Sequence, residues 1–335
     1  MGEVTKISWT DHTFNPWIGC TRVSPGCTQC YAEQLATTRL GVQWGPQATR
    51  KVTVNGTWAQ PKRWNRAALR DGVRRKVFCA SLSDVFEDKD ELIEPRARLF
   101  RLIEECTQLD WLLLTKRPED MQRLATQAGW TDWPPHVWAG CTVESQEYAR
   151  KRLPDLLQVP SLIHFISYEP ALGPIDLRMA CDGSWHDKEG ANVYDALTGT
   201  AFWSNADPGI GGGPKLDWVI IGGESGSKAR EFNLSWARLV LRHCLQAGVA
   251  PFMKQLGSNP EGGWLEDDAP VSGGRWGDWP EKLHAKGGEP DEWPEDLRVR
   301  QFPTPTLCTV HDDCRANRAV AMACLQAAWR ARHPR

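Results

Sequence analysis

Residues 77–119 read VFCASLSDVFEDKDELIEPRARLFRLIEECTQLDWLLLTKRPE. A short apolar run, Val77 to Ser81, gives way to a polar stretch. Apolar residues then recur at helical spacing from Glu94 to Thr107, and a second apolar run follows from Trp111 to Thr115. Strand, helix, strand is a βα unit, and such units build parallel sheets. The pattern recurs along the chain, with strands expected at His136 to Cys141, Ile163 to Tyr168, Trp218 to Ile221 and Ala250 to Lys254. An earlier strand should lead into a cysteine-rich loop near residue 20. Helices fit Thr28 to Leu40, Pro118 to Ala128, Gln146 to Leu157 and Leu234 to Ala247. Six or seven units predict an α/β fold with parallel strands, a partial (β/α)6-type TIM barrel over residues 1–257. Met179 to Lys215, rich in Gly, Asp and Asn, reads as an insertion. Residues 258–335 read as an irregular Trp-rich C-terminal region closed by a helix from His311 to Arg335.

Composition narrows the classes of function. With 335 residues, 41% of them apolar, the chain can bury a substantial core. No opening apolar stretch resembles a signal peptide, and no run of about 18 apolar residues could span a bilayer, so a cytoplasmic protein with no membrane partner is expected. Eleven scattered cysteines suit a reducing compartment in which thiolates serve a metal. The formal charge of −2 makes no global case for nucleic acid. One segment is basic: Lys62, Arg63, Arg66, Arg70, Arg74, Arg75 and Lys76, opposed by Asp71. It reads as a solvated helix face or as a phosphate contact. Eighteen tryptophans are core anchors or, where exposed, platforms for stacked bases.

The sharpest chemical signal is GCTRVSPGCTQCYAE, residues 19–33, where Cys20, Cys27 and Cys30 offer three thiolates from one loop. No second Cys-x2-Cys pair completes a four-thiolate zinc site, so a metal here keeps an open position. Around it, polar residues follow the expected strands: Ser81, Ser83, Asp84 and Glu87; Thr115, Lys116 and Arg117; Thr142 and Glu144; Ser167 and Glu169; Glu224 and Ser225; Lys254 and Gln255. In parallel barrels chemistry gathers at those carboxyl ends, although Ser and Asp also cap helices. GGESG lacks the spacing of a dinucleotide fingerprint or a P-loop. The whole set suits an amino-acid-like ligand beside an iron-sulfur cluster.

The ordered series ISWTDHTFNPWIGCTRVSPGCTQCYAE, SLSDVF, LLTKRPE, TVES, SYEPALGPI, DWVIIGGESG and APFMKQLG, residues 7 to 257, resembles the radical S-adenosylmethionine superfamily. Within it the likeness is to a phage-associated three-cysteine family related to spore photoproduct lyase. The resemblance implies a 4Fe-4S cluster on Cys20, Cys27 and Cys30 that chelates S-adenosyl-L-methionine. One electron, from a donor such as flavodoxin or ferredoxin, then yields a 5′-deoxyadenosyl radical that abstracts a hydrogen atom. It further implies Tyr31 beside the cluster or the radical path, Ser81 or Ser83 at the methionine amino group, and Lys116 at its carboxylate. Thr142 and Glu144 would meet carboxylate or ribose, and Glu224 ribose or substrate. Cys141 is either a hydrogen-atom donor or a buried structural cysteine. The first cysteine gap, six residues, departs from the superfamily's usual three, and SLSDVF stands where a Gly-Gly-Glu is usual. The expected substrate is a modified thymine in DNA or a modified nucleotide, reached by base flipping or in single strands. The alternatives are a peptide or small metabolite, or, in another class, a zinc-containing nucleic-acid-binding protein with His12 as fourth ligand.

Overall fold

A computed structural model of the protein describes residues 5–179, 181–183, 191–202, 209–262 and 285–303. Seven strands form one parallel sheet: β1 (His12–Phe14), β2 (Arg75–Cys79), β3 (Leu109–Thr115), β4 (Val137–Thr142), β5 (His164–Tyr168), β6 (Trp218–Gly222) and β7 (Ala250–Gln255). Their order across the sheet is their order along the chain. A doubly wound sheet would reverse its order at a switch point; here none occurs. Register is set early: His12 pairs with Val77 and Phe14 with Cys79, then Arg75 with Leu109 and Cys79 with Leu113. Strands β4, β5 and β6 are buried along their whole length, as parallel sheets covered on both faces require.

The helices are α1 (Tyr31–Arg39), α2 (Gln60–Asp71), α3 (Ile93–Glu105), α4 (Met121–Gln127), α5 (Gln146–Gln158) and α6 (Leu234–Ala247). In α3 the residues Leu99, Phe100, Leu102 and Ile103 face inward, the helical spacing visible in the sequence. Helix α6 starts where the Asn233 side chain accepts the Ser235 N–H and stops at Gly248, whose φ of 68° suits glycine. Two expected helices begin later than their patterns suggest. Pro118–Asp120 form a 3-10 turn before α4, and Pro25–Cys27 form another before α1, whose N-cap is Cys30. Thr28, Gln29 and Cys30 therefore stay in the loop.

The chain divides into two compact units, Met1–Gly140 with Val159–His164, and Cys141–Gln158 with Phe165–Pro303. The first packs Phe14 edge-on to Trp58 and Trp111 and stacks Phe100 on Trp130 at 4.0 Å. The second groups Phe165, Trp218 and Phe252. Its β7 edge is closed by residues 299–301: Met253 N–H donates to Val299 O at 2.8 Å and Gln301 N–H to Pro251 O at 2.9 Å. Covering an edge removes a template for aggregation. Within the expected insertion, Cys181–Gly183, Ala191–Asp195 and Thr200–Phe202 form an antiparallel three-stranded sheet. The Gly- and Trp-rich run 263–284 and the expected terminal helix lie outside the described residues. No helix among the described residues is long and apolar enough to cross a membrane.

In the second unit His243 of α6 is buried, with Nδ1 3.5 Å from Asp176 and Arg178 and Asp195 nearby. Burial, reinforced by Arg178, lowers its pKa below the ordinary value. The unfolded chain therefore takes up the proton first. The contribution of neutral His243 is complete above pH about 6.5 and is lost as pH falls from there towards its folded pKa. Thermal melts between pH 7.5 and 5.5, on the order of the histidine range, should show a falling midpoint, with a shallower slope in His243→Gln. Identical slopes would remove His243 from the account.

Candidate functional site

After β1 the chain passes through Asn15 and Pro16 into Trp17–Ile18, which pairs antiparallel with Lys51–Val52. Gly19 turns it into the cysteine loop with φ of 116°, and a Cβ there would lie 3.0 Å from Arg50 Cδ. Glycine is the residue that turn accepts without strain. Gly19 N–H donates to Leu82 O at 3.0 Å and Gly19 forms a β-bridge to Ser83, so the loop is tied to the end of β2. That end is strained: Ala80 has φ of 71°, while its N–H donates to Phe14 O at 2.8 Å. A left-handed non-glycine costs roughly 1–3 kcal/mol and persists where its surroundings over-determine it. Asn15 is one such support, accepting Leu82 N–H at 2.7 Å and donating to Ser81 Oγ at 3.0 Å.

Between Cys20 and Cys27 the loop is held at Thr21, Arg22 and Ser24. Arg22 forks onto Glu33 of α1 at 2.7 and 2.9 Å, and Cys27 N–H closes a turn on Ser24 O at 2.9 Å. Thr21 is held by two guanidiniums, Arg50 Nη2 to its Oγ1 and Arg117 Nη2 to its carbonyl, each at 2.8 Å. Arg50 is fully buried and uses all five donors: two on Glu87 at 2.7 and 2.6 Å, one on Thr21, and two on Gly45 O and Ala48 O. Arg117 donates to Asp84 at 2.8 Å and to Cys20 Sγ at 3.8 Å, and lies 3.7 Å from Glu87. Asp84 also accepts from Thr115 Oγ1 at 2.7 Å and from the main-chain N–H of Lys116 and Phe86. Two cations and two anions thus lock the ends of β2 and β3 beneath the cysteine loop.

Burial pushes the Cys20 thiol up to about 12, with Asp84 adding to the rise and Arg117 opposing it. Burial works against the charge of Arg117, but Asp84 and Glu87 beside it hold its pKa above the ordinary value. Cys20 therefore holds its proton at neutral pH, and a metal binding there displaces it. Cys27 is buried with Ser24 Oγ 3.8 Å from its sulfur. Cys30, half-buried, packs beside Ile18, Ala32, Ala36, Val42 and Leu82. Among the described residues no three His, Cys, Asp or Glu side chains converge as a single ion requires. His12 lies buried in β1 with its ring stacked on Trp64 at 4.3 Å, which lends no support to a zinc site built on it. A cuboidal cluster makes a different demand, since each thiolate takes a different iron and the three surround a volume. Three thiols on one anchored loop, with no fourth, fit that donor set. The buried Ser83 Oγ has no hydrogen-bond partner among the described residues, so a polar group remains to be satisfied beside Gly19.

The structure brings several of the expected residues together in the first unit. Tyr31, 55% exposed, donates from its hydroxyl to Ser81 O at 2.9 Å. Ser81 Oγ is engaged by Asn15, and Lys116 is half-buried with its main chain held by Asp84. Arg117 stands among the expected strand-end residues, but its aim at Cys20 is not readable from the sequence; Arg50 and Asn15 are additions of the structure, and no local pattern marks Arg50. The remaining expected residues belong to the second unit. Cys141 is fully buried. Thr142 O and Glu144 Oε2 both accept from Arg152 Nη1, at 2.8 and 2.6 Å, so Glu144 is one half of a buried ion pair. Glu224 is gripped by Arg230 through both oxygens at 2.7 and 3.0 Å. Lys254, at the end of β7, hydrogen-bonds Glu169.

The basic segment becomes α2 and its surroundings, and most of its charge is spent internally. Lys62 pairs with Glu105, Arg70 and Arg75 with Asp71, Arg74 with Asp110 and Lys76 with Asp11. Arg63 and Arg66 are exposed. Ten tryptophans among the described residues are buried and Trp44 and Trp236 are half-buried, so the indoles described here serve as core anchors.

No curated protein and no solved structure matches the chain. A family model described as "Protein of unknown function (DUF5131)" matches residues 4–295, and the chain belongs to that family.

Proposed function

We propose that the protein is a radical S-adenosylmethionine enzyme in which Cys20, Cys27 and Cys30 hold a 4Fe-4S cluster on an incomplete (β/α)6-type barrel. The sequential order of parallel strands, with polar residues past their carboxyl ends, supports the barrel. One observation carries the function: three thiols on a single loop whose Gly19–Thr21 end is tied to the residues that follow β2 and β3. When bound, such a cluster offers S-adenosylmethionine an open iron and delivers the electron that cleaves its sulfonium.

The chain's own residues bind and orient. Ser83 offers an unsatisfied hydroxyl for the methionine ammonium, and Lys116 supplies a cation for the carboxylate from a main chain fixed by Asp84. Tyr31 keeps the first turn of α1 on the end of β2 through Ser81 O. The substrate expected from the resemblance is a modified thymine base in DNA or a modified nucleotide; the basic segment, with five of its seven cations paired within the chain, adds little to that expectation. A low-potential donor such as flavodoxin or ferredoxin would supply the electron.

Anaerobically purified full-length protein, reconstituted with iron and sulfide, should hold a cluster and release 5′-deoxyadenosine when given S-adenosylmethionine and dithionite. Deuterium transferred into the deoxyadenosine from labelled modified DNA would identify the substrate, and labelled peptide or free nucleoside arms would redirect it. A colourless protein holding zinc in place of iron and sulfide would defeat the proposal.

A further inference from the structure

Arg117 is the described side chain whose charged donor reaches a sulfur of the cysteine loop, with Nη1 3.8 Å from Cys20 Sγ. It is not free to swing away. The same Nη1 donates to Asp84 at 2.8 Å, Nη2 donates to Thr21 O at 2.8 Å, and Glu87 stands 3.7 Å off. Glu87 is itself held bidentately by buried Arg50. The guanidinium is therefore aimed at one sulfur by a buried, charge-balanced frame. The sulfur of Cys27 faces a neutral hydroxyl, Ser24 Oγ at 3.8 Å.

Resting on the cluster reading above, we infer that Arg117 is a positioning residue that sets the cluster's reduction potential through Cys20. Adding an electron makes the cluster more negative. A fixed N–H donor and a positive charge at a ligating sulfur stabilise that reduced form, and hydrogen bonds to sulfur are a main control on such potentials. Arg117 thereby eases the one-electron reduction on which sulfonium cleavage depends. Lysine cannot reproduce the role, because a single ammonium lacks the planar fork that serves Asp84, Thr21 and Cys20 together.

The test compares reconstituted full-length wild type, Arg117→Lys and Arg117→Gln, without S-adenosylmethionine. Each is titrated with dithionite while the reduced cluster is followed by electron paramagnetic resonance, and iron and sulfide are counted. Arg117→Gln should be harder to reduce, its reduced-to-oxidised ratio at a given poise falling roughly tenfold, about 59 mV for one electron, with Arg117→Lys between it and wild type. If Arg117→Gln holds no cluster, Arg117→Lys decides alone. A wild-type potential in the variants that hold a cluster overturns the inference while leaving the cluster in place. Absence of iron and sulfide from wild type defeats the cluster reading first, and the metal count tells the two failures apart.

Discussion

Alanine at Cys20, Cys27 or Cys30 is expected to leave a folded chain that cleaves S-adenosylmethionine at less than about one-hundredth of the wild-type rate. The magnitude follows from comparison: loss of a mere supporting partner at a metal site costs roughly 10–100-fold, and under the proposed function each of these substitutions removes a ligand. The three should behave alike although their surroundings differ, with Cys20 and Cys30 half-buried and Cys27 buried. Iron, sulfide and 5′-deoxyadenosine are measured together, with circular dichroism to establish folding. A single alanine variant that kept full iron and turnover would show that its thiol is not a ligand. That outcome bears most on Cys20, which the six-residue gap separates from the Cys27–Cys30 pair.

Arg50→Ala should cost about 3–5 kcal/mol, because it strands Glu87 in the interior without its bidentate partner. Arg50 and Glu87 are 0% and 5% exposed at their side chains, and the substitution also unties Thr21, Gly45 and Ala48. The exposed fork between Arg22 and Glu33 has the same chemistry, yet breaking it should cost only about 0.2–1 kcal/mol. Burial, more than the number of ion pairs, decides where the loop's stability resides. Urea unfolding at unchanged m measures both variants. Equal losses would mean that water reaches Glu87, and the frame under the cysteine loop would not be the rigid support described here.

The repeating βα units were legible because a buried strand and an amphipathic helix leave different periodicities. Ala250–Gln255 and Leu234–Ala247 came within a residue of the expected bounds. The starts of α1 and α4 differ from expectation for separate reasons: Pro118 opens a short 3-10 turn that carries helix-like composition, whereas Thr28, Gln29 and Cys30 follow the Pro25–Cys27 turn as loop and α1 starts at Tyr31. At α1 the difference has consequences, since it leaves Cys30 at a cap instead of inside a helix.

Polar residues past strand ends were harder to read, because catalysis, capping and ion pairing use the same side chains. Asp84, Glu144 and Glu224 looked alike in sequence. Asp84 proves to be a hub joining β2 to β3, while Glu144 and Glu224 are held by Arg152 and Arg230. The partner of Asp84 lies 33 residues away, across the fold; those of Glu144 and Glu224 lie 8 and 6 residues on, but neither spacing is a regular helix or strand period that would announce the pair.

The sequence by itself determined the strand and helix series and the presence of three cysteines on one loop, because these depend on residue type and short-range spacing. The tertiary structure decided the strand order, the anchoring of the six-residue gap, the internal pairing of the basic segment and the aim of Arg117 at Cys20. Each of those depends on distance and burial, which bring together residues far apart in the chain and set the strength of a charge by the water removed around it.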